Sequence, residues 1–351
     1  MSKKIERWWY QRTLSWQLIP LIPFSLLFTF LAALRRGLFF VRLKRTWKAP
    51  VPVIIVGNVT VGGTGKTPTV LAVIELLKQL GLKPGIVSRG YGSEGPYPAL
   101  VDHESTAQSV GDEPIMLQRL SGVPVVVDPK RVEAAKALLA HYEVDVIVAD
   151  DGLQHYALGR HVELGVVDGQ RGFGNGWRIP TGPLRERIAR LKKVDWVLLN
   201  TPTEQVQQAV AHLPQVVNMQ LATKGWRRVS DDSVIEVPDG ETAVVIAGIG
   251  HPERFFNSVK EQGIHLAETR VYADHYQYTP QDFYDVSNQY PVLMTEKDAV
   301  KVRSFARPHW YYLKVEMAFP EAFKTAFGEC VLNIRNSLQK ESSNERSREL
   351  A

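Results

Sequence analysis

The sequence predicts an α/β protein, a doubly wound and mostly parallel sheet followed by a smaller second α/β domain. Three observations carry this reading. Short apolar runs alternate with helical periods from Val51 to about Asn200, a glycine-rich turn joins the first run to the first helix, and the alternation lapses into a polar stretch before it resumes.

The elements follow in order. Lys3, Lys4, Arg7 and Arg12 precede an uncharged run from Thr13 to Leu34, and Arg35, Arg36, Arg42, Lys44, Arg45 and Lys48 follow it. The run approaches the roughly 20 residues of a spanning helix, and Trp8, Trp9, Tyr10 and Trp16 resemble an interfacial aromatic belt. Pro20 and Pro23 interrupt its first turns, and cations at both ends suit anionic headgroups on one face. Residues 1–48 are therefore expected to form a membrane-associating helical segment that lies in the interface instead of crossing it.

Val51–Val56 then reads as a fully buried parallel strand, and residues 66–80 as a helix with apolar positions at Val70, Val73, Ile74 and Leu77, stopped by Gly81. Strands are expected at Gly85–Ser88, Pro124–Asp128, Val144–Ala149, Leu164–Asp168 and Trp196–Asn200, with a helix at Arg131–His141, which gives a first domain over 49–220. Residues 221–238 are polar and irregular and are expected to be a linker. Residues 239–335, with strands at Thr242–Ile249, Pro291–Thr295 and His309–Val315 and a helix at Pro252–Gln262, make the smaller domain, and 336–351 a disordered tail.

The chemistry gathers on the loops. Thr60-Val-Gly-Gly-Thr-Gly-Lys-Thr67 stands between a strand and a helix. Gly62, Gly63 and Gly65 let successive N–H groups turn toward phosphate oxygens, Thr60 and Thr64 belong to the same turn, Lys66 reaches the β- and γ-phosphates, and Thr67 offers a hydroxyl to magnesium. This is a P-loop for ATP, with Thr60 where the strict pattern has glycine. Asp150 and Asp151 end an apolar strand, where two adjacent acids call for a cation, and so are the expected metal ligands with Thr67. Gln154 and His155 add polar groups to the same rim. Two further glycine-rich loops, Ser88-Arg-Gly-Tyr-Gly92 and Arg171–Glu186, follow strands and bring Arg89, Tyr91, Arg171, Arg178 and Arg185 toward the carboxyl edge of the sheet. A kinase also needs a group beside the acceptor hydroxyl, and the pattern leaves Asp112, Glu113 and His275 all open for it.

Composition bounds the alternatives. The 351 residues are 44% hydrophobic and 23% charged with net charge +5, the balance of a folded enzyme and not of a disordered or multi-pass membrane protein. A single cysteine, Cys330, excludes an intramolecular disulfide. The basic residues gather at the apolar start and the glycine-rich loops, which disfavours nucleic acid as a partner. A membrane-recruited nucleotide switch or chaperone shares the loop and the acids and is the alternative to a kinase.

The ordered set Val-Gly-Asn-Val-Thr-Val-Gly-Gly-Thr-Gly-Lys-Thr-Pro, Ser-Arg-Gly-Tyr-Gly, Gly-Asp-Glu-Pro, Asp-Asp-Gly-Leu-Gln-His, Gly-Pro-Leu-Arg-Glu, Ala-Asp-His-Tyr and Thr-Glu-Lys-Asp-Ala resembles the tetraacyldisaccharide 4′-kinases of lipid A biosynthesis, over nearly the whole chain. Thr60 fits that family's own loop. The resemblance implies a P-loop NTPase fold, ATP and Mg2+, and transfer to the 4′-hydroxyl of an acylated glucosamine disaccharide 1-phosphate at the cytosolic face of the inner membrane, with an anionic membrane surface as partner. It also implies that Asp112 is the catalytic carboxylate paired with His275, that Asp150 and Asp151 handle metal and nucleotide, that Arg185 and Glu186 shape the loop beside them, and that Arg131 meets phosphate charge near the acceptor.

Overall fold

The computed structural model describes residues 3–11, 13–41, 43–213, 215–237, 240–274, 276–286 and 289–349. The chain divides into two compact units, Met1–Gln220 with Met317–Ala351, and Leu221–Glu316.

The first unit holds strands β1 (Val53–Gly57), β2 (Pro84–Ser88), β3 (Ala99–Leu100), β4 (Val125–Val127), β5 (Val146–Asp150), β6 (Val162–Asp168), β7 (Trp196–Asn200) and the first part of β8 (Val216–Arg228). Their order across the sheet is β3-β4-β2-β5-β1-β6-β7-β8, and every pairing but β3 with β4 is parallel. Helices α1 (Lys3–Trp9), α2 (Ile22–Phe40), α3 (Lys66–Gln79), α4 (Ala107–Val110), α5 (Asp112–Ser121), α6 (Arg131–His141) and α7 (Glu204–Val210) belong to the same unit. Parallel strands covered on both sides must be apolar throughout, which is why β1, β4, β5 and β6 read as unbroken buried runs. Ile54 and Val56 face a core built with Val70, Ile74 and Leu117, and Val53 and Ile55 face the opposite core with Leu138 and Leu199.

The register fixes the site. In the β1–β5 pairing Val56 stands opposite Asp150, and in β2–β5 Val87 stands opposite Ala149, so the P-loop, the two acids and Ser88 leave the sheet at one carboxyl edge.

The second unit carries β9 (Val234–Ile235), β10 (Thr242–Ala247), β11 (His265–Val271), β12 (Val292–Thr295) and β13 (Trp310–Ala318), with α8 (Pro252–Lys260) and α9 (Glu296–Val302). β11, β10, β12 and β13 lie side by side and parallel. Its core stacks Tyr278 on Phe283 and Phe283 on Trp310, with ring centroids 5.7 and 4.4 Å apart.

Three stretches differ from the sequence reading. Residues 221–238, expected to be a linker, contain the end of β8 and all of β9. β8 buries only Met219 and Trp226 of its 13 residues, so it carries no apolar alternation by which a strand is recognised. Residues 317–335, expected in the smaller domain, belong to the first unit, where Phe319, Phe323, Phe327 and Val331 complete its core and Phe323 meets Trp196 edge-on at 5.7 Å. The expected tail from residue 336 continues helix α10 (Glu321–Glu349), without an apolar face but with strong helix formers such as Gln339, Lys340 and Glu341.

Residues Trp16–Phe40 are, by length and composition, long and apolar enough to cross a membrane. Pro20 falls in a 3-10 turn, Trp16–Leu21, and Pro23 in the first turn of α2, where its missing N–H costs nothing. Leu18 and Ser25 are buried, while Phe24, Leu27, Phe30, Leu31 and Leu34 are exposed.

Candidate active site

The P-loop is built by its neighbours. Gly65 caps α3 with φ +88 and Gly62 sits at φ +104, both in the left-handed region that a side chain disfavours. Asn58, fully buried, donates from Nδ2 to Thr64 Oγ1 at 3.1 Å and lies 3.5 Å from Thr60 Oγ1, so the loop's own hydroxyls pin its two arms. The Val61 amide donates to the Pro183 carbonyl at 2.8 Å and the Arg185 amide to Val59 at 2.7 Å, which straps the Gly-Pro-Leu-Arg-Glu segment alongside. Gly63 is exposed, Thr67 half-buried, and Thr69 ties Oγ1 to the Gly65 carbonyl at 2.7 Å.

The two acids have different surroundings. Asp150, at the end of β5, is buried, accepts a bond from Ser88 Oγ at 3.3 Å, and is pushed up to about 7 by burial and by the charges of Glu113 and Asp151. Asp151 takes a left-handed backbone, φ 49, which swings its carboxylate toward the P-loop. Its Oδ2 accepts from Arg185 Nη1 at 2.7 Å and its Oδ1 lies 3.7 Å from Lys66 Nζ. Burial would raise it, but Lys66 and Arg185 outweigh burial and hold it near 2, ionised at every ordinary pH.

Gln154 and Glu186 join the rim. Gln154 Nε2 donates to the Asn58 carbonyl at 3.1 Å and to Glu186 Oε1 at 3.0 Å, while Tyr156 donates to Glu186 Oε2 at 2.7 Å. Buried Glu186 is thus a brace between the P-loop and the loop that carries Arg185. His155 is held neutral, down to about 3, by burial and by the charges of Arg131 and Arg89. Arg131 is buried at 2% exposure and donates to the carbonyls of Asp128 and Asp150, each at 3.1 Å, so its guanidinium stitches β4 to β5 beneath the acids. Arg89 and Tyr91 are exposed on the Ser88–Gly92 loop. Gly90 there has no room for a side chain, since a Cβ would stand 2.3 Å from Val127 and 2.9 Å from the Val110 carbonyl. That contact packs the loop against the start of α5, where Asp112 and Glu113 occupy the first turn behind Gly111 at φ +91. His275 lies outside the described residues; its neighbour Asp274 pairs with Lys297 at 2.8 Å in the second unit.

The donor set suits a hard cation. Among the described residues no group of three or more His, Cys, Asp or Glu side chains forms a metal site. A P-loop magnesium needs only one or two carboxylates, a hydroxyl and the phosphates themselves. Thr67, Asp150 and Asp151 supply oxygen donors of that kind, and Asp151 Oδ1 is buried without a hydrogen-bond partner. Motif spacing did not single out Asn58, Tyr156 or the contact of Arg171 with the amino-terminal helix. The signal for Asn58 was a polar residue within an otherwise buried run.

The family model described as Tetraacyldisaccharide-1-P 4'-kinase matches residues 17–331. The Tetraacyldisaccharide 4'-kinase of Idiomarina loihiensis is 45% identical over 322 residues, 92% of this chain and 95% of that one. Its namesake from Shewanella sp. strain MR-4 is 46% identical over 324 residues, 92% and 93% of the two chains. The crystal structure of LpxK from Aquifex aeolicus in complex with ATP superposes with TM-score 0.78 at 25% identity, covering 91% of this chain and 99% of that one. The P-loop, the paired acids and the braced Gly-Pro-Leu-Arg-Glu segment thus stand in a chain that belongs to the tetraacyldisaccharide 4′-kinase family.

Proposed function

We infer that this chain transfers the γ-phosphate of ATP to the 4′-hydroxyl of a tetraacylated glucosamine disaccharide 1-phosphate, the phosphorylation that gives its family its name. The observation that carries the reading is the P-loop facing Asp151, with Lys66 and Arg185 converging on one carboxylate.

In phosphoryl transfer the protein contributes position and charge more than covalent chemistry. The loop amides and the amino end of α3 receive the phosphates, and Lys66 exchanges Asp151 for the β- and γ-oxygens. Arg185 keeps Asp151 in place during that exchange. Thr67, Asp150 and Asp151 would hold Mg2+, which when bound neutralises charge on the transferring group. Asp112 accepts the proton of the acceptor hydroxyl. The loose transition state asks little basicity of it, so a carboxylate stabilised at a helix amino end suffices. His275 is proposed to assist that proton transfer. Arg89 and Tyr91, exposed on their loop, are proposed to meet the acceptor, with Gln154, Glu186 and His155 as the polar rim.

The acceptor is a lipid, and α2 supports a site at an anionic membrane surface on the cytosolic side, with the chain peripheral. Ser25 Oγ donates to the Arg178 carbonyl at 2.8 Å, Arg178 Nη1 reaches the Thr29 carbonyl at 3.5 Å, Arg36 pairs with Glu186 at 3.8 Å, and Phe39 meets the Tyr156 ring at 6.1 Å. These contacts run from the first turn of α2 to its last along one face, which supports a helix lying at the interface with that face toward the protein. The opposite face is the exposed apolar one. A groove of about 250 Å³ beside it is lined by Ser25, Leu26, Thr29, Trp177, Arg178 and Arg187.

Purified protein incubated with ATP, Mg2+ and the disaccharide monophosphate should yield the bisphosphorylated lipid. ATP hydrolysis stimulated without lipid phosphorylation would favour the nucleotide switch. Binding to anionic vesicles should fall sharply in a Phe24→Glu, Phe30→Glu double variant, and unchanged partition would remove the interfacial assignment.

A further inference from the structure

Of the arginines expected at the carboxyl edge of the sheet, Arg178 turns to α2 instead. The residue is buried, at 9% exposure, its carbonyl accepts Ser25 Oγ at 2.8 Å, and its Nη1 donates to the Thr29 carbonyl at the long distance of 3.5 Å. Bridges from Arg178 to Leu184 and from Leu184 to Thr60 fix its backbone beside the P-loop, so this is a held position and not a loose surface chain.

A buried guanidinium normally sits against a carboxylate, because removing it from water unpaired is costly. Among the described residues no carboxylate pairs with Arg178. The acid whose charge reaches it, Glu186, is already engaged by Arg36 at 3.8 Å, by Arg190 at 3.9 Å, and by Gln154 and Tyr156. Burial, and then the charges of Arg187 and Arg36, hold the pKa of Arg178 below its ordinary value, and Glu186 opposes them less. This corner of the first unit is short of negative charge.

The groove beside α2 gives an anion its place. Arg178 and Arg187 line it together with Leu184 and Ile188, and Leu26, 59% exposed, carries it out to the apolar face of the helix. Pockets that enclose a whole small molecule run to roughly 300–1,000 Å³. At about 250 Å³ this groove takes a phosphate headgroup and the start of a chain, and the acylated disaccharide head of the acceptor is too large for it. We propose that the groove binds one anionic phospholipid of the bilayer, its phosphate held by Arg178 and Arg187 and the start of its chains lying against Leu26, Leu184 and Ile188, at a site separate from that of the acceptor. This rests on α2 lying in the interface. The guanidinium fork suits paired phosphate oxygens, and the bound lipid neutralises the cluster while clamping α2 to the loop that carries Arg185.

The test uses the full chain and two readouts. Native mass spectrometry from micelles that contain phosphatidylglycerol or phosphatidylcholine should find a single phosphatidylglycerol retained on the wild type and no phosphatidylcholine, and Arg178→Gln and Arg187→Gln should each lose it. Arg187 is exposed, so its variant keeps the question open to measurement if Arg178→Gln melts early. Partition onto phosphatidylcholine vesicles should be the same for wild type and variants, whereas doping the vesicles with phosphatidylglycerol should favour the wild type over Arg178→Gln by about fivefold or more. Arg45→Gln removes an equal charge from the exposed segment after α2 and should cost less than Arg178→Gln; equal losses would mean diffuse surface attraction and overturn the proposal. Displacement of the retained phosphatidylglycerol by the tetraacylated disaccharide monophosphate, or retention of no lipid by the wild type, also overturns it. A wild type that binds neither kind of vesicle would instead overturn the interfacial reading of α2 beneath it.

Discussion

Each unit places a carboxylate at the carboxyl end of a parallel strand, and the two are treated in opposite ways. In the second unit Asp298 is fully buried and its oxygens accept from Gly248 N at 3.1 Å, Tyr278 Oη at 3.0 Å and Thr295 Oγ1 at 2.6 Å. All three donors are neutral and fixed, so the acid is finished as a structural knot at the start of α9. In the first unit Asp151 Oδ1 has no hydrogen-bond donor, and the groups around the carboxylate are the charged ends of Lys66 and Arg185. Long cationic side chains can leave for phosphate, which backbone amides and a packed tyrosine cannot. The lesson is that an acid on a strand end is read by whether its partners can be exchanged, and the position alone says little.

Four measurements test this contrast, from the largest expected effect downward. Asp112→Ala should lower kcat by ~10²–10⁴-fold with ATP binding nearly intact, and wild-type turnover would remove Asp112 from the chemistry. Lys66→Ala should reduce kcat/KM by ~10²–10³-fold with little change in melting temperature, since its partner Asp151 retains Arg185. A large loss of stability there would make the Lys66 pair structural, like the Asp298 knot. Asp298→Ala should do the reverse, destabilising the fold by about 2–4 kcal/mol in denaturant titrations through three stranded donors, with ATP affinity unchanged.

The smallest effect concerns pH. Burial and the charges of Arg131 and Arg89 lower His155 from 6.5 to about 3, so between those values the unfolded chain binds the proton and the folded chain does not. Stability from this group is therefore complete above about 6.5 and declines as pH falls toward 3. The melting temperature of the wild type should drop more steeply from pH 6.5 to 4.5 than that of His155→Asn; parallel curves would show that His155 titrates normally.

Much of the site was legible because its chemistry is contiguous. A P-loop must be one run of residues, since consecutive amides wrap one phosphate, and Asp150-Asp151 could be placed beside it because parallel strands end at a common edge. Arg131 was legible as a cation but not as a buried one, because its partners are carbonyls at residues 128 and 150 that carry no side-chain signature. Glu186 and Asn58 became a brace only when Gln154 was seen to reach both.

Local pattern therefore determined the α/β class, the nucleotide loop, the pair of acids at a strand end and the apolar amino-terminal segment, since each depends on residues within a turn or a strand of one another. Tertiary structure decided which face of α2 is docked, that residues 317–349 return to the first unit, and that Glu6 and Tyr10 meet Arg171 across more than 160 positions. Those outcomes depend on contacts between distant parts of the chain, for which the periodicity of a single segment holds no information.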